Sequence, residues 1–493
     1  MICVAVDLGT TNIKAAAYTE SLQRVALVQK GVVYRRTENQ VEFDAEDYFE
    51  TVFDMICGVA KAAIPAEKKE RLHIVLTGQA ESFVLLDRHM ASLGNAVSWM
   101  DMRAGAECIS IREHFPEQSG FEITGEPAPS PAWPAAKLLW FRRNTPELFA
   151  KIRYVLLVKD YVQYRLTGAL AGEVSTRGFT YFFDINKKTY WSEMLQFCGI
   201  SESKLPPLVP CGTVLGEIRP SLCRRIPRCI GAVVNTGVLD HFAGAAGMGI
   251  TGPGIAGESA GTVLSLTAFV KKPDYHLPTS YHLGLIPDRY MLFSCCDNGG
   301  ICYDWFKANF IPDMGFAEIE QRLKLRKVEQ DLLFFPYIAG TNAPDFEVAG
   351  AGIFCGFDFR HDRIDFARAV MESTGFLLRR NIQAIRERGD RLERLISSGG
   401  GAASPFWCQL KADICGITIE VPEETEMVCR GAAMVGLVAE GIFPSLERAS
   451  ESGPLKTVPY HPESREQYEK KYSEFERLLT YYKEIKRREG ETG

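Results

Sequence analysis

Asp7-Leu8-Gly9-Thr10-Thr11-Asn12-Ile13-Lys14 gathers an acid, a glycine, two threonine hydroxyls and a base directly after the apolar run Ile2 to Val6. Glycine lets main-chain N–H groups approach phosphate oxygens, Thr10 and Thr11 add donors, Lys14 adds positive charge, and Asp7 is placed to hold Mg²⁺ directly or through water. A polar hairpin turn facing solvent accounts for the same residues equally well. Gly399-Gly400-Gly401-Ala402, ahead of a helical pattern at Phe406, Leu410 and Ile414, is a second candidate cradle. There a helix amino terminus would favour anionic ligand groups. Read alone, it is as much a flexible turn. Gly261-Thr262 is a third such turn, and two of the three head the two halves of the chain.

Asp240 follows Gly237-Val238-Leu239 and precedes a stretch rich in alanine and glycine, His241 to Gly249. Its surroundings favour a helix N-cap. The functional alternative is a catalytic base that accepts the proton of a substrate hydroxyl as it attacks phosphorus, and both roles are compatible.

These groups require strands that end at them. Ile2 to Val6, Ile13 to Tyr18 and Val25 to Tyr34 read as strands, the first two joined as a hairpin, where a P-loop would place a helix and Gly-Lys-Ser/Thr. A helix follows, capped by Asp44, with Phe49, Val52, Phe53 and Ile56 on one face. Leu72 to Thr77 and Phe83 to Leu86 read as strands flanking Gly78-Gln79-Ala80-Glu81-Ser82. Lys137 to Phe141 and Tyr154 to Leu166 read as helical, Gly168 to Asp184 as loop and strand. A hinge is expected just after Gly249, and Ile255 to Phe269 restarts the strand, turn, strand pattern, hinting at two related domains. Leu395 to Ser398 is a strand into the glycine turn, and the charged tail Glu463 to Arg488, with Tyr468, Tyr472 and Phe475, is a closing helix followed by frayed residues.

A chain of 493 residues needs more than one core, and two domains are expected. With 46% hydrophobic and 24% charged residues the composition is that of a soluble globular protein. A net charge of -6 without long like-charge blocks gives no footprint for nucleic acid or an anionic membrane, so a small-molecule partner is expected. The amino terminus lacks the basic and apolar tract of an export signal, no apolar run spans a bilayer, and the fourteen scattered cysteines show no paired Cys-x-x-Cys spacing. Reduced thiols in the cytoplasm are expected.

The ordered motifs resemble the FGGY family of carbohydrate kinases, which includes xylulokinases, glycerol kinases and fuculokinases, over nearly the whole chain. Val6 to Thr11 is similar to the family's first phosphate motif, Trp99-Met100-Asp101-Met102-Arg103 to its Trp-x-Asp-x-Arg segment, and Lys137-Leu138-Leu139-Trp140 to its Lys-Leu-x-Trp helix. Lys159-Asp160-Tyr161, Leu166-Thr167-Gly168, Asp184 and Trp191 continue in register. Asp240 falls on the family's catalytic aspartate, Ser259 to Thr262 on the second phosphate motif, and Ser398 to Ser404 on the adenosine motif. The resemblance implies an α/β fold of two actin-like (ribonuclease H-like) domains, each a mixed β-sheet flanked by helices, with an interdomain catalytic cleft. Expected boundaries are 1–245 for a sugar-binding domain with the first phosphate motif, and 246–493 for an ATP-binding domain with the closing helix.

The same resemblance implies transfer of the γ-phosphoryl group of ATP to a small sugar or polyol. Asp240 would be the base, and Asp7 and Asp240 the Mg²⁺ carboxylates. Phosphates would meet Thr10, Thr11, Lys14, Gly261, Thr262, Gly399, Gly400, Gly401 and Ala402. Substrate hydroxyls would meet Gln79, Glu81, Trp99, Asp101, Asp240 and His241. Glu81 stands where glycerol kinases carry glutamate and xylulokinases usually histidine, and a carboxylate accepts two hydroxyl hydrogen bonds. Ala80 replaces the arginine of glycerol kinases. Asp101 and Arg103 read equally as a structural ion pair, Trp99 and Trp133 as core or sugar platform, and His241 as hydroxyl ligand or helix-start residue. Asn342, Ala402 and Arg430 also depart from the family pattern. A silent sugar sensor on the same scaffold and an actin-like structural ATPase are the alternatives, and the oligomeric state is open between monomer and homodimer. A nicotinamide dehydrogenase is excluded, because no Gly-x-Gly-x-x-Gly follows the first strand.

Overall fold

A computed structural model describes residues 1–261, 263–276, 279–296, 298–328, 330–338, 352–424, 426–453 and 455–491. Thr262 and the segment containing Asn342 lie outside the described residues. The first half builds a six-stranded sheet from β1 (Ile2–Leu8), β2 (Asn12–Tyr18), β3 (Arg24–Gly31), β4 (Glu70–Gly78), β7 (Val214–Glu217) and β8 (Cys229–Asn235), in the order β7-β8-β4-β1-β2-β3. A small companion sheet includes β5 (Phe83–Leu86) and β6 (Tyr154–Leu157). The second half builds a seven-stranded sheet from β9 (Gly254–Ala260), β10 (Leu264–Val270), β11 (Ser280–Leu283), β12 (Tyr290–Cys296), β13 (Leu392–Ser398), β14 (Thr418–Pro422) and β15 (Thr457–Tyr460), in the order β11-β12-β10-β9-β13-β14-β15.

The two sheets repeat one topology. In each, a hairpin (β1 with β2, β9 with β10) extends by a third antiparallel strand (β3, β12) on one side and by two parallel strands on the other. The parallel pairs are β4 and β8 in the first sheet, β13 and β14 in the second. The echo at Ile255 to Phe269 is therefore a duplicated arrangement of five strands.

Helix α1 (Ala45–Ala63) begins as expected, with the Asp44 carboxylate accepting from the N–H groups of Glu46 and Asp47. Its Phe49, Val52, Phe53 and Ile56 face is at most 1% exposed against the first sheet, so the apolar spacing determines which side of the sheet it covers. Helix α2 (Pro134–Asn144) carries the Lys-Leu-Leu-Trp segment. Tyr154 to Leu166 is not one helix. Tyr154 to Leu157 pairs antiparallel with β5, and the helix, α3 (Val158–Thr167), starts only where the Asp160 carboxylate accepts from the Leu157 N–H at 3.0 Å. Strand pairing and a cap override the continuous apolar pattern. The expected loop at Gly168 to Asp184 likewise contains a short helix, α4 (Val174–Arg177), capped by the Glu173 side chain.

Helices α5 (Asp240–Gly247), α6 (Gly300–Phe310), α7 (Phe316–Lys324), α8 (Pro405–Cys415), α9 (Met427–Ala439) and α10 (Arg465–Glu491) complete the parts that matter here. The tail helix buries Tyr468, Tyr472 and Phe475, as its spacing predicts. Helices α5 and α9 cross between the sheets at backbone contact. A Cβ on Gly431 would lie 1.7 Å from the Ala243 carbonyl oxygen, and one on Gly247 1.9 Å from that of Met427. Around the crossing, one apolar cluster mixes Cys3, Ala5, Ala16, Tyr18 and Val75 of the first sheet with Phe269, Met291 and Ile396 of the second and with Cys429, Ala432 and Ala433 of α9. Among the described residues no helix is long and apolar enough to cross a membrane.

Candidate active site

A cavity of about 490 Å³ opens between the halves, lined by Asp7, Gly9, Lys14, Asp240, His241, Gly261, Gly399 and Glu426 among others. They come from strand ends, turns and helix starts, and the parallel strands β1, β4 and β8 all finish on the same side of the first sheet. Gly9 is required by space, since a Cβ there would meet the Asn12 carbonyl oxygen at 2.5 Å. Asp7 faces Lys14 across the hairpin register. Its Oδ1 is buried without a hydrogen-bond partner among the described residues. Burial, then the negative charge of Asp240, pushes the Asp7 carboxyl up to about 8, against the pull of Lys14. Lys14 Nζ donates to Glu426 Oε2 at 2.7 Å, an ion pair joining the two halves.

Asp240 is half-buried at the first position of α5. It does not form the expected cap. Leu239 occupies the cap position, and Asp240 Oδ1 accepts instead from the adjacent His241 N–H at 2.6 Å, leaving the carboxylate turned to the cavity wall. His241 is exposed and packs against Phe293 of the second half, ring centroids 5.0 Å apart.

The first phosphate turn is tied to the Trp99 loop. Trp99 Nε1 donates to Thr10 Oγ1 at 2.8 Å, and Tyr34 donates to the Thr10 carbonyl at 2.8 Å, while Thr11 is exposed. The Trp99 N–H donates to Ser82 Oγ at 2.9 Å, and Ser82 Oγ donates to Gln79 Oε1. Gln79 is buried, its amide spanning the ends of β4 and β1. Glu81 is half-buried beside these groups, and burial pushes its carboxyl up to about 7, with Asp240 adding to the shift.

Asp101 is fully buried, and its oxygens accept from the Val41 N–H and from Arg103 Nε and Nη2 at 2.7 to 2.8 Å. The ion-pair reading therefore describes Asp101 and Arg103, and Arg103 also stacks over Trp140 at 4.9 Å. Trp133 belongs to the core, 5.2 Å from the Tyr181 ring. Lys137 is fully buried and donates to the carbonyls of Ser98 and Ala132, both at 2.6 Å, pinning the Trp99 loop to α2. Burial pulls its ammonium down to about 7, opposed by Asp101 and Glu81.

On the other side a second cavity, about 420 Å³, shares Gly261 and is lined by Gly400, Gly401, Tyr303, Asp304, Phe316, Glu320 and Trp407. Gly399 sits at φ 78°, and a Cβ would lie 2.7 Å from Ser259 Oγ, so glycine is a conformational requirement at this position. Ala402 is in the same turn, its N–H bonded to the Gly399 carbonyl, but it is off the cavity wall. Arg430 is not at this cavity. It donates to the carbonyls of Gly247 and Gly453, so it braces the end of α5 against the chain after α9.

Sequence reasoning missed Glu426 and the aromatic and acidic wall from α6, α7 and α8. Glu426 precedes α9 as Asp240 begins α5, and the duplicated topology makes the two positions equivalent, the signal that would have found it. Tyr303, Phe316 and Trp407 carry no such signal, being spaced like ordinary core residues.

The FGGY family of carbohydrate kinases, N-terminal domain, matches residues 2–247, and its C-terminal domain matches 255–440. A protein named xylulose kinase from Bacillus subtilis (strain 168) is 27% identical over 494 aligned positions, covering 98% of this chain and 97% of that one. One of the same name from Escherichia coli (strain K12) is 29% identical over 419, covering 84% of each. The crystal structure of xylulose kinase from Rhodospirillum rubrum superposes with a TM-score of 0.91 at 22% identity, covering 98% of this chain and 99% of that one. The fold is thus the two-domain actin-like fold, and the chain belongs to the FGGY family of carbohydrate kinases.

Proposed function

We propose that the chain moves the γ-phosphoryl group of ATP to a hydroxyl of a neutral ketopentose, or of a closely related ketose or alditol, with Asp240 as general base. Residues 1–245 form the sugar-binding domain and 246–493 the ATP-binding domain. The observation that carries the reading is the convergence of Asp7, Lys14 and Asp240 from one half with Gly261 and Gly399 from the other on a single cavity. The names of the relatives favour xylulose, and Glu81 favours a substrate offering two adjacent hydroxyls.

Asp240, turned to the cavity and accepting through Oδ1 from its neighbouring amide, takes the proton of the attacking hydroxyl. Lys14 releases Glu426 to meet phosphate oxygens, and the Gly261 and Gly399 turns present main-chain N–H groups to them. Closure of the halves excludes water as a competing acceptor. Asp7, whose Oδ1 has no hydrogen-bond partner among the described residues, and Asp240 would be the residues to hold a Mg²⁺. Such an ion would offset charge on the phosphates.

Because only the ionised Asp7 binds a cation, metal binding displaces its proton at pH below about 8. Affinity for Mg²⁺·ADP should therefore fall on acidification, by up to roughly tenfold per unit. Calorimetry between pH 6.5 and 8.5 in buffers of different ionisation enthalpy would show the released proton, and a pH-independent affinity would remove Asp7 from the metal site. Glu81→Gln should raise the sugar KM roughly 10- to 100-fold. In the parent enzyme, sugar KM should fall as pH rises through about 7 and Glu81 ionises, and the variant should lose that dependence. An unchanged KM in the variant would refute the hydroxyl contact.

The function itself is tested by ADP release across ketopentoses, deoxy-ketohexoses, tetritols, pentitols and glycerol. A ketopentose should give the highest kcat/KM. No release above the sugar-free rate with any of them would overturn the assignment.

A further inference from the structure

The three residues before Asp240 are held more tightly than a connecting turn requires. Asn235 Oδ1 accepts from the Gly237 N–H at 2.7 Å, and Leu239 forms a parallel bridge to Gly78 at the end of β4. The next two contacts share one peptide group. Thr77 Oγ1 donates to the Val238 carbonyl at 2.7 Å, and the Leu239 N–H donates to Ser175 Oγ at 2.9 Å. Both polar ends of peptide 238–239 are thus taken by hydroxyls, one from β4 and one from α4. Thr77 is also the register partner of Asp7 in the β1 and β4 pairing, so the peptide is referenced to the strand that carries the other cavity carboxylate.

The direction of the Ser175 hydroxyl is fixed from behind. Ser175 Oγ lies 2.8 and 2.7 Å from the two oxygens of Glu173, which also accept from Lys159 Nζ at 2.6 Å and from the N–H groups of Ser175 and Thr176. An ionised carboxylate only accepts, so the single Ser175 proton points at Glu173 and the oxygen lone pair is left for Leu239. Thr77, Lys159, Glu173 and Ser175 are all 0% exposed. A buried ion pair is a poor source of net stability, since apolar residues of similar volume often serve as well. It is a good way to give one hydroxyl one orientation.

We infer that Thr77 and Ser175 are positioning residues, which clamp peptide 238–239 from both sides and so set where the Asp240 carboxylate meets the attacking hydroxyl, with the Lys159 and Glu173 pair orienting Ser175. The inference rests on Asp240 being the base. A displacement of about 1 Å in a reacting group costs on the order of a hundredfold in rate. Neither hydroxyl is among the residues lining the cavity, so loss of the clamp should act on kcat and spare nucleotide binding.

The experiment compares Thr77→Val, Thr77→Ser, Ser175→Ala and the double variant Thr77→Val/Ser175→Ala by steady-state kinetics and thermal melting, beside Asp240→Asn. Thr77→Val and Ser175→Ala should each lower kcat by roughly 10- to 100-fold with the ATP KM within about threefold. Thr77→Ser, which keeps the hydroxyl, should restore most of the rate. The double variant should fall little below the worse single one, because both act on one peptide. Phe53→Leu, a truncation in the buried face of α1 and away from the cavity, serves as a destabilised control that keeps its kcat. Should Ser175→Ala fail to fold, the near-isosteric Thr77→Val and its serine rescue decide alone. The clamp is overturned if Asp240→Asn is inactive while Thr77→Val keeps parental kcat, or if Thr77→Ser is as slow as Thr77→Val. An active Asp240→Asn would instead remove the base itself.

Discussion

Asp240→Asn is expected to lose at least roughly a thousandfold in kcat while still binding ATP and sugar. The amide keeps the shape of the side chain and its bond from the His241 N–H, but cannot take the proton of the attacking hydroxyl. Nucleotide binding need not depend on this side chain alone, because the groups proposed to face the phosphates are main-chain N–H donors and Lys14. For the metal nucleotide two effects oppose: one of the two proposed Mg²⁺ carboxylates is lost, and Asp7 ionises more readily. The negative charge of Asp240 contributes to holding Asp7 near 8, so its removal lowers the Asp7 carboxyl toward its ordinary range and leaves more of it ionised at neutral pH. Two measurements on one variant therefore separate: turnover falls by orders of magnitude, and Mg²⁺·ADP affinity changes far less. A kcat within tenfold of the parent would exclude Asp240 as the base.

Gly431→Val is expected to cost about 3 kcal/mol or more of stability, although it lies within a helix where valine is ordinarily tolerated. Even a Cβ at this position would sit 1.7 Å from the Ala243 carbonyl oxygen, and that atom cannot give way without moving α5. Gly247 repeats the constraint from the other side, with Met427 O at 1.9 Å, so separating the helices at one glycine separates them at both. Asp240 is the first residue of α5, and the displacement should reach the cavity and slow turnover as well. Denaturant unfolding with unchanged midpoint and slope would show that the helices do not cross as described.

The parts of this architecture legible in the sequence are those with a local cause. Asp44 and the Phe49, Val52, Phe53 and Ile56 spacing specify α1, and the glycine turns at Gly9 and Gly399 announce backbone that no other residue accommodates. Tyr154 to Leu157 was illegible because its strand state depends on β5, some seventy residues earlier. At the site, Asp7, Lys14 and Asp240 stood out by type and position. Glu426 did not, since its partner Lys14 is brought to it only by the approach of the two halves. Asp101 misled in the opposite way, because a carboxylate inside a recognisable motif can be consumed by an arginine two residues on.

The crossing of α5 and α9 bears on how the molecule is made as well as how it works. Helix α9 is encoded in the second half, yet Gly436 within it lies against Val75, and its Cys429, Ala432 and Ala433 help cover Cys3, Ala5 and Ala16 of the first sheet. A ribosome that has released only the amino-terminal half has therefore produced a sheet with one apolar face covered in part only, by α5 and the residues before it. The rest of that face stays exposed until nearly two hundred further residues have emerged. Folding of the first half is consequently completed only late in synthesis, and until then this nascent apolar surface is open to aggregation.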